Sequence, residues 1–259
     1  MRIAIPAGGG AQRYARWLRD SPDVELVTDG ADAVVVGGDP AQRRGLVEQA
    51  AAAGSHVLCE PPLAPNEADA ERMIEACSRA GVGLTLALPI RFSPTFAALR
   101  RAVADGELGR LLTVNGTVNG VGPGAAVTLI DLVDVLLDGE PAEEVYAQAA
   151  PGGGPAVLMV RYPGGTVASF GCGWDTTAAE FTGERATVRY DPFPRLLDVR
   201  GPQDTNDGAA LDAAMLGAFL AGVRDGRPAG PDGGAALRGL RIVRAARRSM
   251  GTARPEPVH

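Results

Sequence analysis

The side-chain types missing from this chain matter as much as those present. Lysine is absent, and the two histidines are His56, inside the strand-like run HVL, and His259 at the end. Imidazole and ammonium chemistry therefore have almost nothing to draw on. His56 reads as a hydrogen-bonded core residue and His259 as a terminal one. Cys172 sits between Gly171 and Gly173, where a nucleophile could sit, but no histidine is at hand to take its proton. It reads as a small strand residue. Cys59, Cys77 and Cys172 are widely spaced and form no C-x-x-C pair, so neither a disulfide framework nor a metal site is expected.

One turn has the composition of a phosphate cradle. Residues 6–11 read Pro6, Ala7, Gly8, Gly9, Gly10, Ala11 directly after the first strand-like run. Glycines at such a turn let backbone N–H groups and a helix start approach a pyrophosphate. The same run also reads as a merely flexible turn, and Pro6 fixes φ and donates no N–H. Asp29, after VELVT, lies about 20 residues on, the distance at which an acidic side chain holds ribose hydroxyls.

The elements that must position these residues fall into two sets. RIAI, ADAVVVGG, HVLCE and VGLTLAL are strand-like and alternate with helical stretches, the pattern of β-α-β units and a parallel sheet. From Leu111 onward LLTVNGTVNGV, AEEVYAQAA, PAVLMVRYP, GTVASFGCGW and ERATVRY are strands parted by Gly and Pro turns. AVTLIDLVDVLLDG, ALDAAMLGAFLAGVRDG and AALRGLRIVRAARRSMG are helices among or after them, with a loop over 227–234. The fold class is therefore α/β: a Rossmann-like parallel-sheet domain over 1–112, and over 113–259 an α+β domain with a mostly antiparallel sheet and C-terminal helices.

At 259 residues and 46% hydrophobic content the chain can bury a sizeable core. Its net charge of −6 gives no attraction for phosphate backbones, and the arginine clusters lie in helices beside acidic residues, so no nucleic-acid partner is expected. Met1 leads straight into RIAIP with no apolar leader, and no run of about 18 apolar residues occurs, so the expectation is a cytoplasmic protein with no membrane partner.

Residues 32–109 resemble the glucose-fructose oxidoreductase and inositol dehydrogenase (Gfo/Idh/MocA) family. DAVVVGGDP, GSHVLCEPP, RFSP and GELG follow the order of the family's strand, G-K-H-V-L-C-E-K-P turn, R-F-x-P and G-x-L-G segments without a gap. LIDLVDVLLDGEP resembles its H-x-x-D helix more loosely. The resemblance implies a Rossmann-like domain, a second domain whose sheet face forms a substrate cleft, and dimers through that sheet's exposed face. It also marks departures. The catalytic lysine of E-K-P has become Pro61, within Glu60, Pro61, Pro62, and the catalytic histidine has become Thr128, with Asp131 in the acidic place. T-P-N has become Gly38, Asp39, Pro40, and the histidine after it Arg43. Only Gly30, Ala31 and Asp32 separate Asp29 from the next strand, whereas a parallel neighbour needs a crossover of roughly a dozen residues. The expectation is that the family's second strand and its helix are deleted, leaving the ribose pocket without a floor and Asp29 a turn residue.

Losing several polar partners at about 1 to 3 kcal/mol each should abolish tight NAD(P) binding, with Gly8, Gly9 and Gly10 vestigial. The family geometry gathers Asp39, Glu60, Arg91, Thr128 and Asp131 at one mouth, with Asn115, Asn119 and Trp174 opposite. Asp131, Glu60, Arg91 and Thr128 are the catalytic candidates, and Asp39, Asn115, Asn119 and Trp174 the substrate-binding ones. A carboxylate pair beside an arginine could move protons without nicotinamide; equally, Glu60 and Arg91 could form a bracing ion pair, with Asp131 facing solvent. The leading expectation is a repurposed enzyme acting without hydride transfer on a small intermediate of specialised metabolism, a cyclase, isomerase or dehydratase with no cofactor. The alternatives are an NAD(P)-dependent oxidoreductase of a sugar-like or cyclitol substrate, and a non-catalytic partner subunit or sensor.

Overall fold

The computed structural model describes residues 1–6, 10–152, 154–192, 206–226 and 230–259. They form two compact units, one of residues 1–89 with 209–237 and one of 90–208 with 238–259.

The first unit is built on a parallel sheet. β1 (Arg2–Ala4), β2 (Glu25–Leu26), β3 (Ala33–Val36), β4 (His56–Cys59) and β5 (Leu84–Leu86) lie in the order β2-β1-β3-β4-β5. β3 is buried along its whole length, as a Val run flanked by strands on both sides and layered by helices must be. A short 3-10 helix (Gly10–Tyr14) and α1 (Ala15–Asp20) follow β1. α2 (Pro40–Ala52) follows β3, its start set by Pro40 and by Asp39, whose Oδ1 accepts the Ala41 N–H at 3.0 Å. α3 (Glu67–Ala80) is capped by Asn66, carries Glu67 and Asp69 in its first turn, and stops at the left-handed Gly81. Ala70, Met73 and Cys77 form its buried stripe at helical spacing.

The second unit starts with α4 (Pro94–Ala104), capped by Ser93, and β6 (Leu111–Asn119). Next come α5 (Val127–Leu136), β7 (Glu144–Ala149), β8 (Ala156–Arg161), β9 (Val167–Trp174), β10 (Ala178–Gly183) and β11 (Thr187–Tyr190). α6 (Asn206–Arg224), α7 (Gly233–Thr252) and β12 (Glu256–Pro257) complete the chain. The sheet order is β11-β10-β6-β9-β8-β7-β12, antiparallel except for the parallel pair β6 and β9. β8 buries Ala156, Leu158 and Val160 and exposes Val157, Met159 and Arg161, the period-two pattern of a sheet covered on one face. Ser93, Phe96 and Tyr190 join α4 to β11. The Ser93 and Tyr190 hydroxyls lie 3.0 Å apart, and the Phe96 ring meets Tyr190 edge-on at 6.2 Å.

The expected fold class holds, with a parallel Rossmann-like sheet and a mostly antiparallel one. The division between the units falls at Pro89 rather than at 112, because α4 packs against β11 and α5. Residues 209–237 return to the first unit, where the Leu86 N–H donates to the Pro231 carbonyl and Thr85 bridges Asp232.

One glycine is fixed by close packing. A Cβ on Gly183 would lie 2.2 Å from the Leu108 carbonyl oxygen, in backbone that cannot rotate away. Gly183→Ala is expected to lower the unfolding free energy by about 2 kcal/mol. A urea titration checks this, and an unchanged midpoint would contradict the packing described.

Candidate active site

α5 carries acidic side chains into the interior. Every residue from Leu129 to Asp134 is buried, both aspartates included. Asp131 is only 6% exposed, and its Oδ1 accepts a bond from Arg91 Nη1 at 3.2 Å, Arg91 being held in a 3-10 turn (Pro89–Phe92). Its other oxygen, Oδ2, is buried with no partner. Burial pushes the Asp131 carboxyl up to about 7, against Arg91, which favours the charged form; Asp134 adds to the rise and Arg238 opposes it. A carboxyl that exchanges its proton near neutrality, with a bare oxygen, has the properties of a general acid or base. Thr128 lies three residues earlier on the same face of α5. Arg91, Asp131 and Thr128 are thus brought together.

The remaining candidates have other places. Asp39 is exposed and caps α2. Glu60 pairs with Arg13, not with an arginine of the second unit, at 3.3 Å. The bracing pair expected between Glu60 and Arg91 is therefore replaced by one pair inside each unit. Asn115 and Asn119 are exposed on β6, whereas Gly116 between them meets Leu129 of α5. Alternation along the strand therefore turns both asparagines to the face away from Asp131. Trp174 is 43% exposed, its ring lying over Gly171 of β9. Cys172 is buried, and His56 accepts the Gly83 N–H through Nδ1.

In the first unit the expected deletion is half right. No helix joins β2 to β3, but β2 itself is present, parallel to β1, with Arg2 opposite Glu25 and Ile3 opposite Leu26. The crossover rule does not forbid this, because β2 and β3 are not neighbours: Ile3 pairs with Leu26 on one side and Ala33 on the other. Residues 27–32 make the return. The strand order reverses at β1, and a cavity of about 530 Å³ opens at the carboxyl ends of β1 and β2, lined by Ile5, Gln12, Arg19, Val27, Thr28 and Asp29. That is where open α/β sheets form their ligand crevice. Gly8 and Gly9 lie outside the described residues, and Gly10 opens the short 3-10 helix.

Two further groups of the first unit are not evident from sequence spacing. Arg43, 4% exposed on α2, donates to the carbonyls of Gly38, Glu60 and Pro62 and ties the turn after β3 to the turn after β4. Asp212 of α6 lies within the field of Arg13 and Glu60; burial pushes its carboxyl up, Arg13 opposes and Glu60 adds to the rise.

Known proteins resemble both the sequence and this architecture. The profile described as "Oxidoreductase family, NAD-binding Rossmann fold" (GFO_IDH_MocA) matches residues 10–88. The chain is 28% identical over 288 residues to inositol 2-dehydrogenase of Rubrobacter xylanophilus, covering 97% of this chain and 82% of that protein. Over that span the chain is similar to the Gfo/Idh/MocA oxidoreductases. It is also 38% identical over 105 residues to D-apiose dehydrogenase of Paraburkholderia graminis, a match covering 40% of this chain and 28% of that protein. The WlbA dehydrogenase of Bordetella pertussis shares the fold, with a TM-score of 0.80 at 22% identity over 100% of this chain and 98% of that one.

These relatives overturn the expectation of a chemistry without hydride transfer. They are dehydrogenases, and the family profile is that of an NAD-binding fold. In the structure an acidic side chain, Asp29, stands at the carboxyl end of the strand next to β1, on a cavity that the expected deletion would have removed. Among the described residues, no helix is long and apolar enough to cross a membrane.

Asp131 makes a prediction about stability. Its carboxyl is raised in the folded chain, so the stability it contributes is full below its ordinary value of 3.8 and is lost as pH rises to about 7. The Asp131→Asn variant, which cannot ionise, should therefore gain in Tm relative to the parent across that window and level off above it. Thermal melts at several pH values read this, and a difference independent of pH would contradict the burial of an ionisable Asp131.

Proposed function

We propose that the chain is an NAD(P)-dependent oxidoreductase of a polyhydroxylated substrate, a cyclitol or sugar-like alcohol, in which Asp131 carries the proton. The observation that carries this reading is the buried Asp131 carboxyl, bonded to Arg91 through one oxygen, bare at the other, and raised to about 7. The relatives supply the substrate class through inositol 2-dehydrogenase and D-apiose dehydrogenase, and the WlbA structure was solved with NADH and UDP-GlcNAcA.

In this reading Asp29 accepts bonds from the adenosine ribose hydroxyls, and Thr28 and Gln12 line the same cavity. Bound nicotinamide supplies the hydride acceptor or donor. The chain's own residues handle the proton. In oxidation of a secondary alcohol, ionised Asp131 takes up the hydroxyl proton while Arg91 holds Oδ1; in carbonyl reduction the protonated carboxyl returns it. Arg91 provides the cationic donor in a chain without lysine, and Thr128, on the same helix face, offers a hydroxyl to the substrate. The exposed side of the second sheet, where Tyr146 stands opposite Met159 with Val157 nearby, suits a second copy of the chain.

The test combines binding with turnover. NADH or NADPH should bind at micromolar concentration. Nucleotide-dependent oxidation of a cyclitol or sugar panel should rise with pH through about 7, following ionisation of Asp131, and reduction should fall over the same range. Asp131→Asn should keep nucleotide affinity and lose about 10²- to 10⁴-fold in kcat. Absence of binding by either nucleotide at millimolar concentration would sink the reading.

A further inference from the structure

Two carboxylates lie three residues apart on one face of α5, and their surroundings are not equivalent. Asp134 has both oxygens bonded to the guanidinium of Arg238 on α7, Oδ1 at 2.6 Å and Oδ2 at 2.8 Å. Asp131 has one oxygen bonded to Arg91 and the other bare. Asp131 and Asp134 are 6% and 8% exposed, so water screens neither well. A fork-to-fork guanidinium pair is the strongest holder of an ionised carboxylate, and a proton placed on Asp134 would have to break one of its two bonds. A proton placed on Asp131 Oδ2 breaks none.

A like charge held this close in a dry interior disfavours ionisation of Asp131. The row Arg91, Asp131, Asp134, Arg238 therefore holds one exchangeable proton and offers it one place. We propose that Asp134, clamped by Arg238, is a positioning residue that confines this proton to Asp131 and so determines which carboxyl meets substrate. The catalytic consequence rests on the oxidoreductase reading above; the electrostatic coupling does not.

The groups acting on Asp131 come from three elements: Arg91 from the 3-10 turn, Asp134 from α5 itself and Arg238 from α7. Asp134 favours the neutral form of Asp131, and both arginines favour the charged one. The Tyr162 hydroxyl is buried without a partner, pushed up first by burial and then by the Asp134 charge. The clamp is also held sterically. Gly139, at φ +76, leaves the space where a Cβ would stand 3.0 Å from Arg238 Nη2.

The experiment is a carboxyl carbon NMR titration of protein labelled at aspartate, the Asp131 signal being the one lost in Asp131→Asn, alongside a pH–rate profile. Asp134→Asn removes the negative neighbour while Arg238 keeps its charge, so the Asp131 midpoint should fall by about one pH unit. The rate profile should move with it, while the plateau kcat changes little. Asp134→Glu should restore the parent midpoint. If Asp134→Asn does not fold, the double variant Asp134→Asn with Arg238→Gln replaces the ion pair with hydrogen-bonding amides. It should lower the midpoint by less, because the effect of Asp134 on Asp131 exceeds that of Arg238. A folded variant whose midpoint stays put or rises overturns the proposal, as does a loss of kcat at every pH with no movement of the inflection. A midpoint that falls in a protein without nucleotide-dependent turnover supports the coupling and sinks only the oxidoreductase reading.

Discussion

Taking a carboxylate out of water costs several kcal/mol, and a single ion pair at ordinary distance does not return it all. The second unit is organised around that cost. α5 must be buried, since Leu129, Ile130, Leu132 and Val133 make it a core helix, and burying it takes Asp131 and Asp134 with it. One aspartate is stabilised by a full bidentate partner, the other by half of one. The incompletely stabilised carboxyl keeps a proton close to neutrality, and the proposed chemistry of the site rests on that asymmetry.

The first unit meets a different constraint, one of chain length. A Rossmann-type sheet ordinarily places a helix in each crossover, and residues 27–32 are too few for one. The chain keeps the strand and drops the helix. β2 shrinks to Glu25 and Leu26, just enough to hold Asp29 at the carboxyl edge of the sheet. The crevice at the point of strand reversal is retained, in the place where open α/β sheets bind ligands.

Most of the architecture was legible in the sequence because it rests on local patterns. The Val run of β3, the Asp39-Pro40 and Asn66 helix starts and the Gly81 stop each reproduce a rule that needs no tertiary information. The site was legible only in part. The helix motif and the R-F-x-P turn picked out Thr128, Asp131 and Arg91, of which Arg91 and Asp131 are bonded to each other. Asn115 and Asn119 were misplaced because the side of a sheet on which a residue emerges depends on where the covering helix lies, which the strand's own alternation does not say. Asp134 was passed over although it repeats the Asp131 spacing. Its partner Arg238 is far away in sequence, and nothing local distinguishes an aspartate clamped by a distant arginine from a solvated one.

Losing the imidazole and the ammonium group therefore does not amount to losing acid–base catalysis. What the reaction needs is a group that holds and releases a proton near neutral pH at the right atom, and a cation that stabilises developing charge on oxygen. Imidazole has such a proton affinity without help, which suits it to an exposed cleft. A carboxyl acquires it only when buried, and only if a neighbouring carboxylate is kept from taking the proton instead. In this chain burial is provided by α5, the competing carboxylate is held by Arg238, and the cation is Arg91. In the proposed reading, the departures from the family pattern at Pro61 and Thr128 are met by Arg91 of the 3-10 turn and Asp131 of α5.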